Sequence, residues 1–380
     1  PQATHDMLVK WLELPPENVK VNQTLLGGGF GRKSKPDFVV EAGLLSKAMD
    51  GKPVKVTWTR EDDIQHSYYH TVSVEHLEAG VDAQGKVTAW LHRSAAPSIS
   101  STFADSTRQS ASELGMGAAN VPFAIPNVRV ENPPAVAHTR IGWFRSVSNI
   151  PRAFAVQSFV AEIAADQGKD HRDFLLDLIG PARRIDPATL SDPWNHDESP
   201  ELYPVDTGRL RNVIETVTRE AGWGKSAEKG QAMGLAAHYS FVTYVATVVH
   251  VQVSDNGDLS IPRVDVAVDC GPQVNPERIR AQIEGATVMG ISLATLGEIS
   301  FKNGAAVQSN FHDYRITSMM SAPREIHVHL VAASDYDAPL GGVGEPGTPP
   351  VSAALCNAIF AATGKRIRSL PIANQLQQKT

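Results

Sequence analysis

The chain has 380 residues, 42% of them hydrophobic and 20% charged, the balance of a globular protein long enough for two domains. A formal net charge of −6, with no Lys/Arg block, excludes a general nucleic-acid binder and a polybasic membrane tether. The two cysteines, Cys270 and Cys356, are too few for a disulfide scaffold, an Fe–S cluster or a Cys-rich zinc site.

Taken in chain order, Met7, Leu8, Trp11 and Leu12 recur at helical spacing over 4–14, and Pro15-Pro16 ends the run. Residues 19–26 alternate weakly and read as a strand entering a glycine cluster. Phe38, Ala42, Leu45 and Ala48 then mark a helix over 37–49, stopped by Gly51. Strands are predicted over 54–60, 71–79 and 86–94, the last two joined by the turn 82–85. The longest helical stretch, 153–179, breaks at Gly168-Lys169-Asp170. Residues 181–206, rich in Pro and Asp, form the predicted linker. Beyond it come a helix over 210–221 and strands over 245–254 and 260–268 around the turn Asp255-Asn256-Gly257-Asp258. A helix over 276–296, strands over 297–301 and 326–332, and a helix over 350–363 with Gly364 at its stop complete the chain. Helices and strands mix without strict alternation. The predicted fold is therefore α+β: two mixed sheet-and-helix domains, 1–180 and 207–380, on either side of the linker. No apolar run reaches the ~18 residues of a membrane span.

Two glycine clusters stand out. The first, Gly27-Gly28-Gly29-Phe30-Gly31-Arg32-Lys33, brings bare backbone close to a ligand and leaves N–H groups free for oxygens. It is neither a dinucleotide fingerprint nor a P-loop, and a tight strand-to-helix turn is the plain alternative. The second, Gly341-Gly342-Val343-Gly344-Glu345-Pro346-Gly347, satisfies G-x-G-x-x-G, but residues 335–340 separate it from the preceding strand. No acidic residue follows Glu345 to hold a ribose hydroxyl, so a nicotinamide site is not expected. Glu345 itself, among glycines and before a helix start, is placed to approach a bound group as a general base. A surface carboxylate favouring a helix N-terminus is the other reading.

Four motifs occur in an order that resembles the molybdenum hydroxylases: Gly-Gly-Gly-Phe-Gly at 27–31, Phe144-Arg145-Ser146, Gln282-Ile283-Glu284-Gly285-Ala286 and Val343-Gly344-Glu345-Pro346. Three further stretches, at 58–63, 309–314 and 357–371, resemble the isoquinoline 1-oxidoreductase β-subunit and membrane-bound aldehyde dehydrogenase branch of the xanthine dehydrogenase superfamily. The resemblance implies that 1–180 and 207–380 are parts of two molybdopterin-binding domains. It also implies a loop of Gly28, Gly29, Phe30 and Gly31 against the molybdenum's oxygen ligands. Phe144, Arg145 and Gly344 would bind the cofactor, Gln282 would hydrogen-bond near the metal, and Glu345 would be the general base. The resemblance further implies a metal held by the pterin dithiolene, so no protein ligand is expected.

The implied activity is hydroxylation or dehydrogenation of an aldehyde or N-heteroaromatic substrate with water as oxygen source. The implied cofactor is molybdopterin cytosine dinucleotide, with 2Fe-2S clusters on a small partner chain and a cytochrome c as a candidate acceptor. Ser34 stands where xanthine-oxidising relatives carry an acid, and Leu114-Gly115-Met116 lacks their substrate arginine, so purine oxidation is not expected. The family's Gly-Gln-Gly segment is absent, and the chain starts at Pro1. An N-terminal companion segment is therefore expected to complete the site. A bacterial periplasmic or membrane-associated complex is the implied compartment, the cytoplasm the alternative. A non-catalytic scaffold is the rival function, though a scaffold needs neither Glu345 nor Arg145. Tyr68, Tyr69, Phe311 and Tyr314 are candidate pocket-lining residues. His327 and His329 share a strand face, but the sequence places no third metal ligand.

Overall fold

The first two predicted helices form as α1 (Gln2–Leu12) and α2 (Asp37–Ala48), with Leu8 and Leu12 of α1 packed over Gly43 of α2. The computed structural model describes residues 1–190, 194–225, 228–333 and 335–377. The strand predicted over 19–26 does not form. That segment is irregular, Leu25 and Leu26 are exposed, and no described strand offers it a hydrogen-bonding ladder. The segment 54–60 is irregular too and yields to the short helix α3 (Arg60–Gln65). A capping box sets that start: Thr59 Oγ1 accepts from Asp62 N, and the Asp62 carboxylate accepts from Thr59 N.

β1 (Val74–Val81) and β2 (Val87–Ala95) make the predicted hairpin. After the one-turn α4 (Ala111–Leu114), β3 (Asn127–Glu131) runs parallel to β2. The long helical stretch appears as α5 (Asn149–Asp166) and α6 (His171–Ile179), parted at Gly168 with φ 61°. Asp170 restarts the helix by accepting from Asp173 N. The predicted linker 181–206 is tied across its ends by β4 (Arg184–Ile185) pairing with β5 (Val205–Asp206), while its residues 191–193 lie outside the described residues.

The larger sheet follows α7 (Thr207–Ala221), a helix capped by Asp206. β6 (Gln231–Ser240), β7 (Thr243–Val253) and β8 (Leu259–Asp269) are antiparallel neighbours. The crossover helix α8 (Pro276–Thr295) and the small hairpin β9 (Phe301–Lys302) with β10 (Ala305–Ala306) come next. β11 (Glu325–Leu330) then joins β8 in parallel, giving the order β11–β8–β7–β6. The strand predicted over 297–301 is reduced to β9.

Side chains alternate across this sheet, as strand geometry dictates. Leu235, Ala237, Tyr244, Ala246 and Val248 join a core with α5, α6, α7 and Trp90 of β2, so one core draws on both sides of the linker. Ala236, Val245, Val249, Val264 and Val266 face α8 and the last helix, α9 (Pro349–Thr363), which is buried from Pro349 to Ile359.

β6 is absent from the sequence reading. Gly and Ala are poor strand formers, and here they serve the contact with α9. A Cβ on Gly234 would lie 2.1 Å from Ala358 N and 2.2 Å from Ala354 O. We expect Gly234→Ala to push α9 off the sheet and lower the unfolding free energy by about 1–3 kcal/mol or more. Denaturant titration showing wild-type stability would contradict this packing.

Candidate active site

The loop before α9 is laid on the β6–β7 turn. Phe241 and Val242 both occupy left-handed backbone, at φ 52° and 62°. Gly342 N donates to Phe241 O at 2.8 Å, and Thr243 Oγ1 donates to Gly342 O at 2.7 Å. Gly341 N donates to Cys270 O at 2.9 Å. A Cβ on Gly341 would lie 2.2 Å from Thr243 Oγ1, so only glycine fits this approach. Glu345 follows, fixed at the entry to the most buried helix of the larger sheet.

Arg145 and Ser146 gather the other segments onto this loop. The buried Arg145 donates from Nε to Gly344 O at 2.6 Å. One terminal nitrogen donates to Gln282 O at 3.0 Å and to Gln282 Oε1 at 3.2 Å. Its backbone N donates to Phe30 O at 3.0 Å, and its guanidinium lies 5.8 Å from the Phe30 ring centroid. Burial lowers the guanidinium's pKa, and the Glu345 carboxylate raises it in part. Ser146 N donates to Glu345 Oε1 at 3.0 Å, and Ser146 Oγ donates to Glu345 O at 2.7 Å. Gly31, at φ 98°, passes so close beneath Trp143 that a Cβ would lie 2.3 Å from its carbonyl oxygen.

The structure thus brings together Phe30, Gly31, Arg145, Gln282, Gly344 and Glu345. Gly28 sits under the Phe30 ring and Gly29 beside Lys33, while Phe144 packs edge-on to His70 with centroids 5.7 Å apart. Tyr68 and Tyr69 line an open cavity of about 900 Å³ with Arg140, His138 and Phe301. Phe311 and Tyr314 are not among the residues lining that cavity. His329 Nε2 donates to Asp265 Oδ1 at 2.9 Å, and His327 Nε2 pairs with the Glu325 carboxylate at 3.0 Å. Among the described residues no His/Cys/Asp/Glu group is arranged to hold a metal ion.

These residues suit a large group rich in oxygen acceptors. Gly27 and Gly344 have open space where a side chain would stand, so a ligand can meet bare backbone there. With Gln282 Oε1 turned to Arg145, the exposed Gln282 amide can present its NH₂ outward. The Thr348 hydroxyl, buried at the start of α9, has no hydrogen-bond partner among the described residues.

Two family profiles, both described as molybdopterin cofactor-binding domain, match residues 1–176 and 211–323. The chain belongs to the molybdopterin cofactor-binding family. It is 31% identical to the membrane-bound aldehyde dehydrogenase (pyrroloquinoline-quinone) of Gluconacetobacter polyoxogenes, over 96% of this chain and 47% of that protein. It is 30% identical to isoquinoline 1-oxidoreductase subunit beta of Brevundimonas diminuta, over 97% of this chain and 44% of that one. The chain therefore spans about half the length of the curated relatives it matches. The crystal structure of quinoline 2-oxidoreductase from Pseudomonas putida 86 shares the fold, with a TM-score of 0.77 at 13% identity over 99% of this chain and 70% of that one.

Sequence reasoning passed over two residues that this molybdopterin-binding chain sets behind Ser146. Asn149, the first residue of α5, donates from N and from Nδ2 to Ser146 O at 3.0 and 3.1 Å. His238 Nε2 lies 2.8 Å from Asn149 Oδ1. Burial pushes the His238 imidazole down to about 3. An unfolded histidine titrates near about 6.5, so on acidification the unfolded chain takes up this proton first. The stability that neutral His238 contributes is complete above about pH 6.5 and is lost as pH falls toward 3. We expect His238→Gln, which cannot titrate, to lessen the fall in unfolding free energy between about pH 6.5 and 4. Denaturant melts at stepped pH with the wild-type slope would contradict this.

Proposed function

We propose that this chain forms the catalytic portion of a molybdenum-dependent hydroxylase or dehydrogenase that oxidises an aldehyde or an N-heteroaromatic compound with water as the oxygen source. The observation that carries the reading is the Glu345 carboxylate: one oxygen accepts from Ser146 N, and the carboxylate stands beside Arg145 at the glycine loops. Membership of the molybdopterin-binding family and the names of the relatives support it. The two predicted halves, 1–180 and 207–380, would each supply one side of the site.

When bound, the molybdenum–pterin group, in its cytosine dinucleotide form, supplies the two-electron redox chemistry and the oxygen transfer. Phe30 and Gly31 would present backbone to it, Gln282 would offer its amide N–H groups, and Phe144 would bind it from the neighbouring segment. Arg145 keeps positive charge next to the carboxylate and fixes the Gly344 carbonyl. Glu345 takes up the proton released as the water-derived oxygen adds to the electron-poor carbon of the substrate. Its second oxygen is the candidate acceptor, because Ser146 N is bonded to Oε1. 2Fe-2S clusters on a small partner chain would supply the route for the electrons, with a cytochrome c as a candidate acceptor. A companion segment completes the cofactor's enclosure, in a periplasmic complex.

Glu345→Gln tests the role directly. The amide is nearly isosteric and its oxygen can still accept from Ser146 N, so molybdenum content in the assembled enzyme should stay at the wild-type level. Turnover should fall at least about a hundredfold, the scale of general-base loss, with the defect in kcat rather than KM. Metal lost together with activity would make Glu345 structural, and near-normal turnover would reject it as the base.

A further inference from the structure

The conformation of Ser146 needs an explanation beyond its contacts with Glu345. Ser146 and Val147 both have left-handed backbone, at φ 73° and 48°, and neither is glycine. Such residues persist only where the surroundings over-determine them. Val147 is held by its own contacts, with its N donating to Phe144 O at 2.7 Å and His70 Nε2 2.9 Å from its O, and those of Ser146 lie on its far side. Its carbonyl takes two N–H groups from one residue, Asn149 N at 3.0 Å and Asn149 Nδ2 at 3.1 Å. Asn149 is almost fully enclosed, at 1% exposure.

Because Nδ2 is committed to Ser146 O, Oδ1 is the end of the amide that meets His238 Nε2 at 2.8 Å. An amide oxygen only accepts, so Nε2 carries the hydrogen. The ring is held close by Gly117, where a Cβ would lie 3.2 Å from His238 Cε1. His238 also stands on β6, the strand whose Gly234 takes the backbone of α9. One strand therefore sets both sides of the contact: it seats the helix that Glu345 precedes, and it orients the amide that clamps Ser146.

We propose that Asn149 and His238 are positioning residues for Glu345, holding Ser146 in the left-handed backbone from which its N–H and its hydroxyl both reach residue 345. The proposal rests on the reading of Glu345 as proton acceptor. Neither residue touches the reacting groups. They act through Ser146, which fixes the rotamer of the carboxylate and leaves its second oxygen free.

The test uses the assembled, molybdenum-loaded enzyme and four variants. His238→Leu removes the donor to Asn149. Asn149→Asp keeps the size and the acceptor facing His238 but loses the donor to Ser146 O, and it carries the same expectation should His238→Leu fail to fold. His238→Gln keeps an N–H donor where Nε2–H stands. Glu345→Gln is the reference. Hydrogen exchange at the Ser146 amide should be faster in His238→Leu and Asn149→Asp. In both, kcat per molybdenum should fall about tenfold or more, with KM unchanged, the scale seen when the supports of reacting groups are removed. His238→Gln should restore slow exchange and most of kcat. Slow exchange and full kcat in His238→Leu would overturn the proposal, as would a His238→Gln variant as damaged as His238→Leu. A lower melting temperature with unchanged kcat per molybdenum would make the pair merely structural. Normal turnover in Glu345→Gln would sink the proton-acceptor reading and this proposal with it. A dead Glu345→Gln beside a fully active His238→Leu would sink the proposal alone.

Discussion

The Glu345 carboxylate is held by a serine whose backbone is strained. A left-handed non-glycine residue costs about 1–3 kcal/mol, and Ser146 and Val147 are two in succession. Against that stand the bonds the conformation permits. Ser146 N donates to a carboxylate oxygen, and bonds to charged groups contribute about 1.5–3 kcal/mol. Ser146 Oγ donates to Glu345 O, and Ser146 O takes two donors from Asn149, neutral bonds of about 0.5–1.5 kcal/mol each. Strain and bonding are of similar size, so the conformation depends on the whole set.

The same pair of residues, Arg145 and Ser146, ties three parts of the chain together. Arg145 joins the Phe30 carbonyl, the Gly344 carbonyl and Gln282 of α8, and Ser146 joins both the side chain and the backbone of Glu345. A buried guanidinium left without acceptors would be costly, and here its nitrogens meet carbonyl oxygens from two elements. Placement of the glycine loops follows from this. The 27–31 loop is fixed by Phe30 O and by the close pass of Gly31 under Trp143, and the 341–344 loop by the β6–β7 turn. Both loops bring bare backbone to the site by leaving out side chains at Gly27 and Gly344.

Much of the fold was legible in the sequence because helices carry their signals locally. α2, α5, α6, α8 and α9 follow from apolar spacing with Pro and Gly punctuation, and the β7–β8 hairpin from its Asn-Gly turn. Strands are another matter. Residues 19–26 looked like a strand but have no ladder partner, whereas β6 is a strand in spite of Gly234 and Ala236, because α9 needs small residues on that face. The site was legible only through the resemblance of its motifs to the molybdenum hydroxylases. No local pattern says that residues 30, 145, 282 and 345 meet. Asn149 and His238 were missed for a related reason. Their role depends on the backbone of Ser146, and serine carries no sequence signal for positive φ as glycine or asparagine does.

On the proposed function, the group this chain handles sits between the glycine loops and Glu345. Anomalous scattering at the molybdenum edge, from crystals of the assembled enzyme, measures that directly. The predicted result is a single molybdenum peak in the space bounded by Phe30, Gly31, Gln282 and the Glu345 carboxylate. A molybdenum peak away from these residues, or no molybdenum there but density for pyrroloquinoline quinone, would contradict it.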